Sequence, residues 1–287
     1  MTKFYLSESP VWHDSTNKWM WTDIQDKHIY QSSDSLLVDE NKFSKKNVPQ
    51  MVSNLFLSSD NFILATGEDC IFKINLSSNR IDKQITLPHS NLFRCNDGTV
   101  GPDGKYWFGT MEKSPTGLNG EVYSLDESMK LVAQNAPIGI PNSFIWLDDS
   151  SILISDSLLQ KTYKVSLAAN GKLDWVNRTI WLDLSDTDCT PDGGAIDEKG
   201  NIWLAIWGGA AIHKYSAGGE LLDKIQLKAL QPTSCAFGGA NMDCLLITTA
   251  TEGLSGEHLV QYPDSGEVLM HRLSVKGKSL PKFRMTA

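Results

Sequence analysis

The sequence predicts an all-β fold, a six-bladed β-propeller with a metal site in its central channel, and three observations lead there. Short apolar runs take the place of long helical patterns. Polar turn clusters precede most of those runs. The whole pattern then returns with a period near 45 residues, which in an all-β chain signals four-stranded propeller blades. The runs fall at 19–21, 62–64, 106–108, 152–154, 202–204 and 244–246 and are rich in aromatic and β-branched residues. Preceded by clusters such as Asp-Ser-Thr-Asn or Pro-Asp-Gly, they read as strand, tight turn, strand.

Each repeat opens on an apolar anchor before its polar turn: Trp12, Leu57, Val100, Trp146, Ile196 and Phe237. Seven positions later stand Trp19, Leu64, Trp107, Leu153, Trp203 and Cys244. Successive anchors lie 45, 43, 46, 50 and 41 residues apart, so six units nearly exhaust the chain. Later strands are expected at 71–74, 121–124, 162–165, 211–215 and 268–272, where apolar and polar residues alternate. A β-sandwich would show turn signals every 8–12 residues without the longer period. A ring of blades needs closing, and residues 2–6 are the candidate for the closing strand. The expectation is one domain over residues 1–287.

Composition removes other classes. Of 287 residues, 41% are apolar and 21% charged, the values of a globular chain with a sizeable core. The net charge is −8, and the basic residues form no block longer than Lys45-Lys46, so no nucleic-acid or anionic-membrane partner is expected. The five cysteines show no Cys-x-x-Cys spacing, which speaks against a disulfide framework and a zinc knuckle. The first seven residues carry no apolar run, and no stretch approaches membrane-span length. A reduced, cytoplasmic protein is expected.

The first strand of each propeller blade lies nearest the axis, so equivalent positions on those strands converge. Four positions before the anchors stand Glu8, Ser53, Asn96, Asn142, Asp192 and Thr233, all bearing a side-chain oxygen. A ring of carboxylate and amide oxygens is what a hard divalent cation requires. Glu8 and Asp192 carry the two charges that neutralise a dication, and Asn142 and Asn96 add neutral oxygens. Ser53 and Thr233 read instead as strand caps or turn partners. No His-Glu-x-x-His, Gly-x-Ser-x-Gly or phosphate-loop motif is present, and no histidine occupies the inward offset. Strand alternation turns Cys95 into the blade. Most tryptophans read as blade packing, with Trp207 placed either at the channel mouth or in the core.

At these residues the sequence resembles the senescence marker protein / gluconolactonase family, which includes regucalcin and bacterial sugar lactonases. The matching segments are Glu8-Ser-Pro-Val-Trp12, Arg94-Cys-Asn-Asp-Gly98 with Gly109-Thr-Met111, Ile140-Pro-Asn142, Pro191-Asp-Gly-Gly-Ala-Ile-Asp197 and Thr233-Ser-Cys-Ala-Phe-Gly-Gly239. The resemblance implies one divalent metal on Glu8, Asn142 and Asp192, with Arg94 and Asn96 facing the substrate; Arg94 rests on the family alone. The chain departs from the family's pattern in three places. Ser143 stands where relatives usually have glycine, the segment before Glu8 is short, and the residues after Met111 do not align. Glu112 is the candidate for a substrate contact in that last stretch.

The expected activity is metal-dependent hydrolysis of a sugar lactone to its aldonic acid, with Asp192 as general base. The ion is calcium, magnesium, manganese or zinc. Two other readings keep the same site: an aryl-ester or organophosphate hydrolase, and a non-enzymatic calcium-binding propeller. Specificity is expected from the loops at 112–119 and 251–258. Nothing in the sequence sets an oligomeric state.

Overall fold

A computed structural model describes residues 3–33, 43–58, 62–78 and 80–285. Their strands form six sheets. The first holds β1 (Ser7–His13), β2 (Lys18–Asp23), β3 (His28–Ser33) and β4 (Phe43–Asn47). The second holds β5 (Val52–Leu57), β6 (Phe62–Gly67), β7 (Cys70–Asn75) and β8 (Ile81–Thr86). The third holds β9 (Phe93–Val100), β10 (Tyr106–Glu112), β11 (Gly120–Leu125) and β12 (Leu131–Ile138). The fourth holds β13 (Pro141–Trp146), β14 (Ser151–Asp156), β15 (Lys161–Ser166) and β16 (Thr179–Asp183). The fifth holds β17 (Thr190–Ile196), β18 (Ile202–Trp207), β19 (Ala211–Tyr215) and β20 (Leu221–Gln226). The sixth holds β21 (Gln231–Gly238), β22 (Cys244–Ala250) and β23 (Leu269–Arg272).

Strands pair in chain order within every sheet, as propeller blades do. Each anchor lies on the first strand of its sheet and each +7 residue on the second. The polar turn between them has a defined chemistry. A residue close before the second strand takes a left-handed conformation in four repeats among the described residues: Asn17 (φ 50°), Gly104 (φ 77°), Gly200 (φ 81°) and Met242 (φ 57°). Turn aspartates also explain the following tryptophans, since the Trp107 and Trp203 indole N–H groups donate to Asp103 and Asp197, both at 3.1 Å. Lys105 and Lys214 lie over the same two rings.

Two compact units are defined, Met1–Val52 with Thr187–Ser279 and Ser53–Asp186 with Leu280–Ala287. In the first, Trp19, Trp21, Tyr30 and Phe4 pack with Ala236 and Leu246, while Trp203 and Ile212 pack with Phe237 and Leu245. In the second, Phe56, Leu64, Tyr106 and Phe108 form one core, and Trp107, Phe144, Trp146 and Ile154 another. Both units thus bury apolar side chains between successive sheets. Near the C-terminus the buried Phe283 joins the second unit, donating its N–H to Leu57 O at 2.8 Å.

The closing strand differs from expectation. Thr2 lies outside the described residues. Phe4 N–H donates to Gly266 O at 2.7 Å and Leu6 bridges Ala250, but residues 3–6 add no outer strand to the sixth sheet, which has three strands among the described residues. Phe4 is instead used as a core residue, with its ring edge-on to Tyr30 at 4.8 Å. The other difference is the short helix α1 (Gly256–Gln261), capped by reciprocal bonds between Ser255 and His258. It begins within the segment 251–258 expected to be a loop. No helix among the described residues is long and apolar enough to cross a membrane.

One half-buried group links this fold to pH. His213 on β19 is pushed down to about 4 by burial and by Lys224. The unfolded chain therefore binds a proton between about pH 6.5 and 4 that the folded chain refuses, and stability is lost as pH falls through that window. His213→Gln is expected to remove this component, read as a flatter dependence of the urea midpoint on pH between 6.5 and 4.

Candidate functional site

In the first unit, β1 lies beside β21 and β21 beside β17. Glu8 is the second residue of β1 and Asp192 the third of β17. Each stands at a break in register, where the pairing skips between Glu8 and Val11 and between Pro191 and Gly194. Such bulges re-aim a side chain out of the pleat. Glu8 is half-buried and accepts the Ser9 N–H at 3.1 Å on Oε2, with Ser9 itself at φ 51°. Asp192 is buried. Gly193 after it is required by packing, because a β-carbon there would lie 2.3 Å from Ser234 Oγ and 3.0 Å from Ser234 Cα.

Thr233, on β21 between the two, is tied to neighbouring strands rather than capping its own. Its hydroxyl donates to Ser7 O at 2.6 Å, one residue before Glu8, and lies 2.7 Å from Thr248 Oγ1. Trp207 is half-buried and packs against Leu6, Ile24 and Ala250. Asp23, which the sequence reading missed, accepts the Tyr5 N–H at 2.9 Å and the Leu6 N–H at 3.4 Å, tying down the approach to β1.

In the second unit β9 lies beside β13, and both carry the same register break, at Asn96–Asp97 and at Ser143–Phe144. Here the structure does bring expected residues together. Arg94 Nη1 donates to Asn96 Oδ1 at 2.6 Å, Asn96 Nδ2 donates to Asn142 Oδ1 at 2.9 Å, and Asn142 Nδ2 donates to Ser157 Oγ at 2.8 Å. This chain fixes the orientation of the Asn142 amide, with its oxygen turned toward Asn96 and its nitrogen toward Ser157. Asn96 also donates to Pro141 O at 2.9 Å. Asp156, on β14 at the register equivalent to Asp23, accepts the Gly139 N–H at 2.9 Å and the Ile140 N–H at 3.1 Å. Both aspartates stand shortly after a +7 position, a signal that becomes visible only when strand pairing is known.

Three further sequence expectations meet the structure in this unit. Glu112 ends β10, but its Oε2 accepts both the Thr116 N–H and the Thr116 hydroxyl at 2.8 Å. Those bonds, with one from Asn119, hold the carboxyl below the usual range and commit Glu112 to shaping its own loop. Cys95 is buried as expected, and burial pushes its thiol well up, so it is no nucleophile. Ser53, read as a cap, has a buried hydroxyl without a protein partner among the described residues.

Beside Asn96 lies a group overlooked in the sequence reading. Asp97 accepts the Gly98 N–H at 2.7 Å and Asn54 Nδ2 at 3.0 Å on one oxygen, and the Ser143 N–H at 2.9 Å on the other. Burial pushes this carboxyl up to about 6 against the opposing pull of those hydrogen bonds. The sequence signal was present, since Asp97 directly follows an inward Asn, but strand alternation gives it no role.

The donor set at the sequence-designated positions is chemically consistent. Among the described residues no three His, Cys, Asp or Glu side chains cluster as a metal site. Carboxylate and amide oxygens are donors of the hard type, and Asn142 holds its amide in one orientation through two hydrogen bonds.

Fold and inner-strand chemistry together define a six-bladed β-propeller with oxygen-bearing residues on bulged first strands. The family described as SMP-30/Gluconolactonase/LRE-like region matches residues 6–251, and the chain belongs to it. Regucalcin of Bos taurus is 30% identical over 98% of this chain and 95% of its own length. L-arabinolactonase of Azospirillum brasilense is 25% identical over 99% of this chain and 94% of its own. A crystal structure of a calcium-binding protein, regucalcin, from Agrobacterium tumefaciens superposes with a TM-score of 0.90 at 25% identity, covering 99% of this chain and 95% of that one.

Proposed function

We propose that the protein is a sugar lactone hydrolase that opens an aldonolactone to its aldonic acid with the help of one divalent cation. Family membership supports the reaction class. The observation that carries the site is the hydrogen-bonded row Arg94–Asn96–Asn142–Ser157, which orients polar groups on two adjacent bulged strands.

Glu8, Asn142 and Asp192 would hold the cation. When bound, it supplies Lewis acidity to the ester carbonyl and lowers the pKa of nearby water. The chain's own residues do the rest. Arg94 donates hydrogen bonds to ring hydroxyls and Asn96, whose two amide N–H bonds are committed to Pro141 and Asn142, accepts one on Oδ1, and together they set the orientation of the lactone. Asp192 takes the proton from water as the water oxygen forms its bond to the carbonyl carbon. The ring oxygen leaves as the C–O ester bond breaks and ends protonated, so one water is added overall. All-oxygen ligation favours calcium, magnesium or manganese over zinc, and calcium leads because it is named for the Agrobacterium relative.

The test is turnover of five- and six-membered aldonolactones by chelator-stripped protein to which single ions are returned, with phenyl acetate as the competing ester. Lactone turnover lost on stripping and restored by one ion is expected, at rates above those on the aryl ester. Activity indifferent to chelation would sink the reading, as would a preference for phenyl acetate.

A further inference from the structure

We propose that Asp97 is a positioning residue of this site: by holding the Ser143 backbone N–H, it keeps Ser143 in a left-handed conformation and so aims the Asn142 side chain. The role in catalysis rests on the lactonase reading, whereas the hold on the backbone does not. Ser143 has φ 53°, a region that a residue with a β-carbon enters at a cost of about 1 kcal/mol. Glycine, lacking a β-carbon, would enter it freely. In this chain the conformation needs a partner, and Asp97 supplies it. Asp97 Oδ2 accepts the Ser143 N–H at 2.9 Å, and the carboxylate also faces the Phe144 N–H. A charged acceptor makes the stronger kind of hydrogen bond, sufficient to offset the strain.

The carboxylate is itself held in place. Asn54 Nδ2 donates to Asp97 Oδ1 at 3.0 Å and to Gly98 O at 3.0 Å, while Asn54 Oδ1 accepts from the Tyr106 hydroxyl at 3.1 Å. Tyr106 is anchored in turn by Thr66 at 2.7 Å. Thus β5, β6, β9 and β10 converge on one carboxylate whose remaining oxygen reaches across to β13. Every contact bears on the backbone just after Asn142, and none is made to a substrate-facing group.

Asp97→Asn preserves shape but replaces one acceptor oxygen by an NH2 group, so whichever way the amide turns, one N–H meets a donor. In metal-stripped protein, hydrogen exchange at the Ser143 amide is expected to quicken about tenfold or more, the loss of one such bond. In the metal-loaded protein, kcat on the lactone is expected to fall about 10–100-fold, as for other residues that orient a metal ligand, with KM within about threefold. Adding Ser143→Gly to Asp97→Asn is expected to bring kcat back to within about threefold of Ser143→Gly alone, because glycine needs no help to stay left-handed. Unchanged Ser143 exchange in D97N would overturn the proposal, as would a double variant no better than D97N. A D97N protein that folds only together with S143G supports it, and failure of both to fold marks a general structural role and overturns it. If the wild type ignores lactones while Ser143 exchange responds as described, the lactonase reading falls and the hold on the backbone stands.

Discussion

Asp192→Asn is expected to lower kcat/KM for aldonolactones by about 10³-fold, within the range for losing a general base, while the protein stays folded. The two side chains share size and shape, so the buried position on β17 is not opened into a cavity. The amide, however, has one oxygen where the carboxylate has two, and it cannot take up a proton from water. The charge balance toward a dication also drops by one, so ion affinity should weaken in parallel. Titration of the stripped variant with the restoring ion, set beside steady-state rates and a thermal melt, separates these effects. Wild-type turnover in this variant would remove Asp192 from the chemistry.

Gly109→Ala is expected to injure both the fold and the site. A β-carbon at position 109 would lie 2.2 Å from Pro141 Cβ and 2.3 Å from its Cγ, and the proline ring has little freedom to yield. Overpacking of this kind costs about 1–3 kcal/mol, visible as a lower urea midpoint. Pro141 directly precedes Asn142 and accepts a hydrogen bond from Asn96 on its carbonyl. Any shift of the ring therefore moves an expected cation ligand and an expected substrate contact together. Lactone kcat should fall further than the stability loss alone accounts for at temperatures well below the melt. A variant that melts early yet turns over normally when folded would show that the contact matters to packing only.

Much of the architecture was legible because a propeller writes its period into the sequence. The anchors and +7 residues fell on first and second strands without exception, since a strand must bury alternate side chains and a tight turn must use residues that tolerate its backbone angles. Those demands act over a few residues and recur in every blade. The helix α1 and the three-stranded sixth sheet escaped notice because each occurs once. Residues 2–6 are the candidate closing strand by their place at the terminus, yet Phe4 is drawn into the core by Trp21 and Tyr30, a pull exerted by residues distant in sequence.

The candidate site divides the same way. Inward oxygens at Glu8, Asn96, Asn142 and Asp192 could be found by counting from an anchor. That count could not show that a bulge sits at each of these positions, because a bulge is a property of two paired strands. Nor could it find Asp23, Asp156 and Asp97, whose carboxylates serve backbone N–H groups that only folding brings near. Glu112 shows a related limit: its acidity suits a substrate contact, and only the folded loop reveals that Thr116 donates to its carboxylate.

Sequence alone determined the class of fold, the blade count and the identity of the polar residues on the first strands, because local alternation and turn chemistry repeat with a fixed period. Tertiary structure alone decided which of those polar groups hydrogen-bond to one another and which backbone N–H groups hold them in place. Such contacts link separate strands of adjacent sheets, and no local pattern along the chain encodes the distance between them.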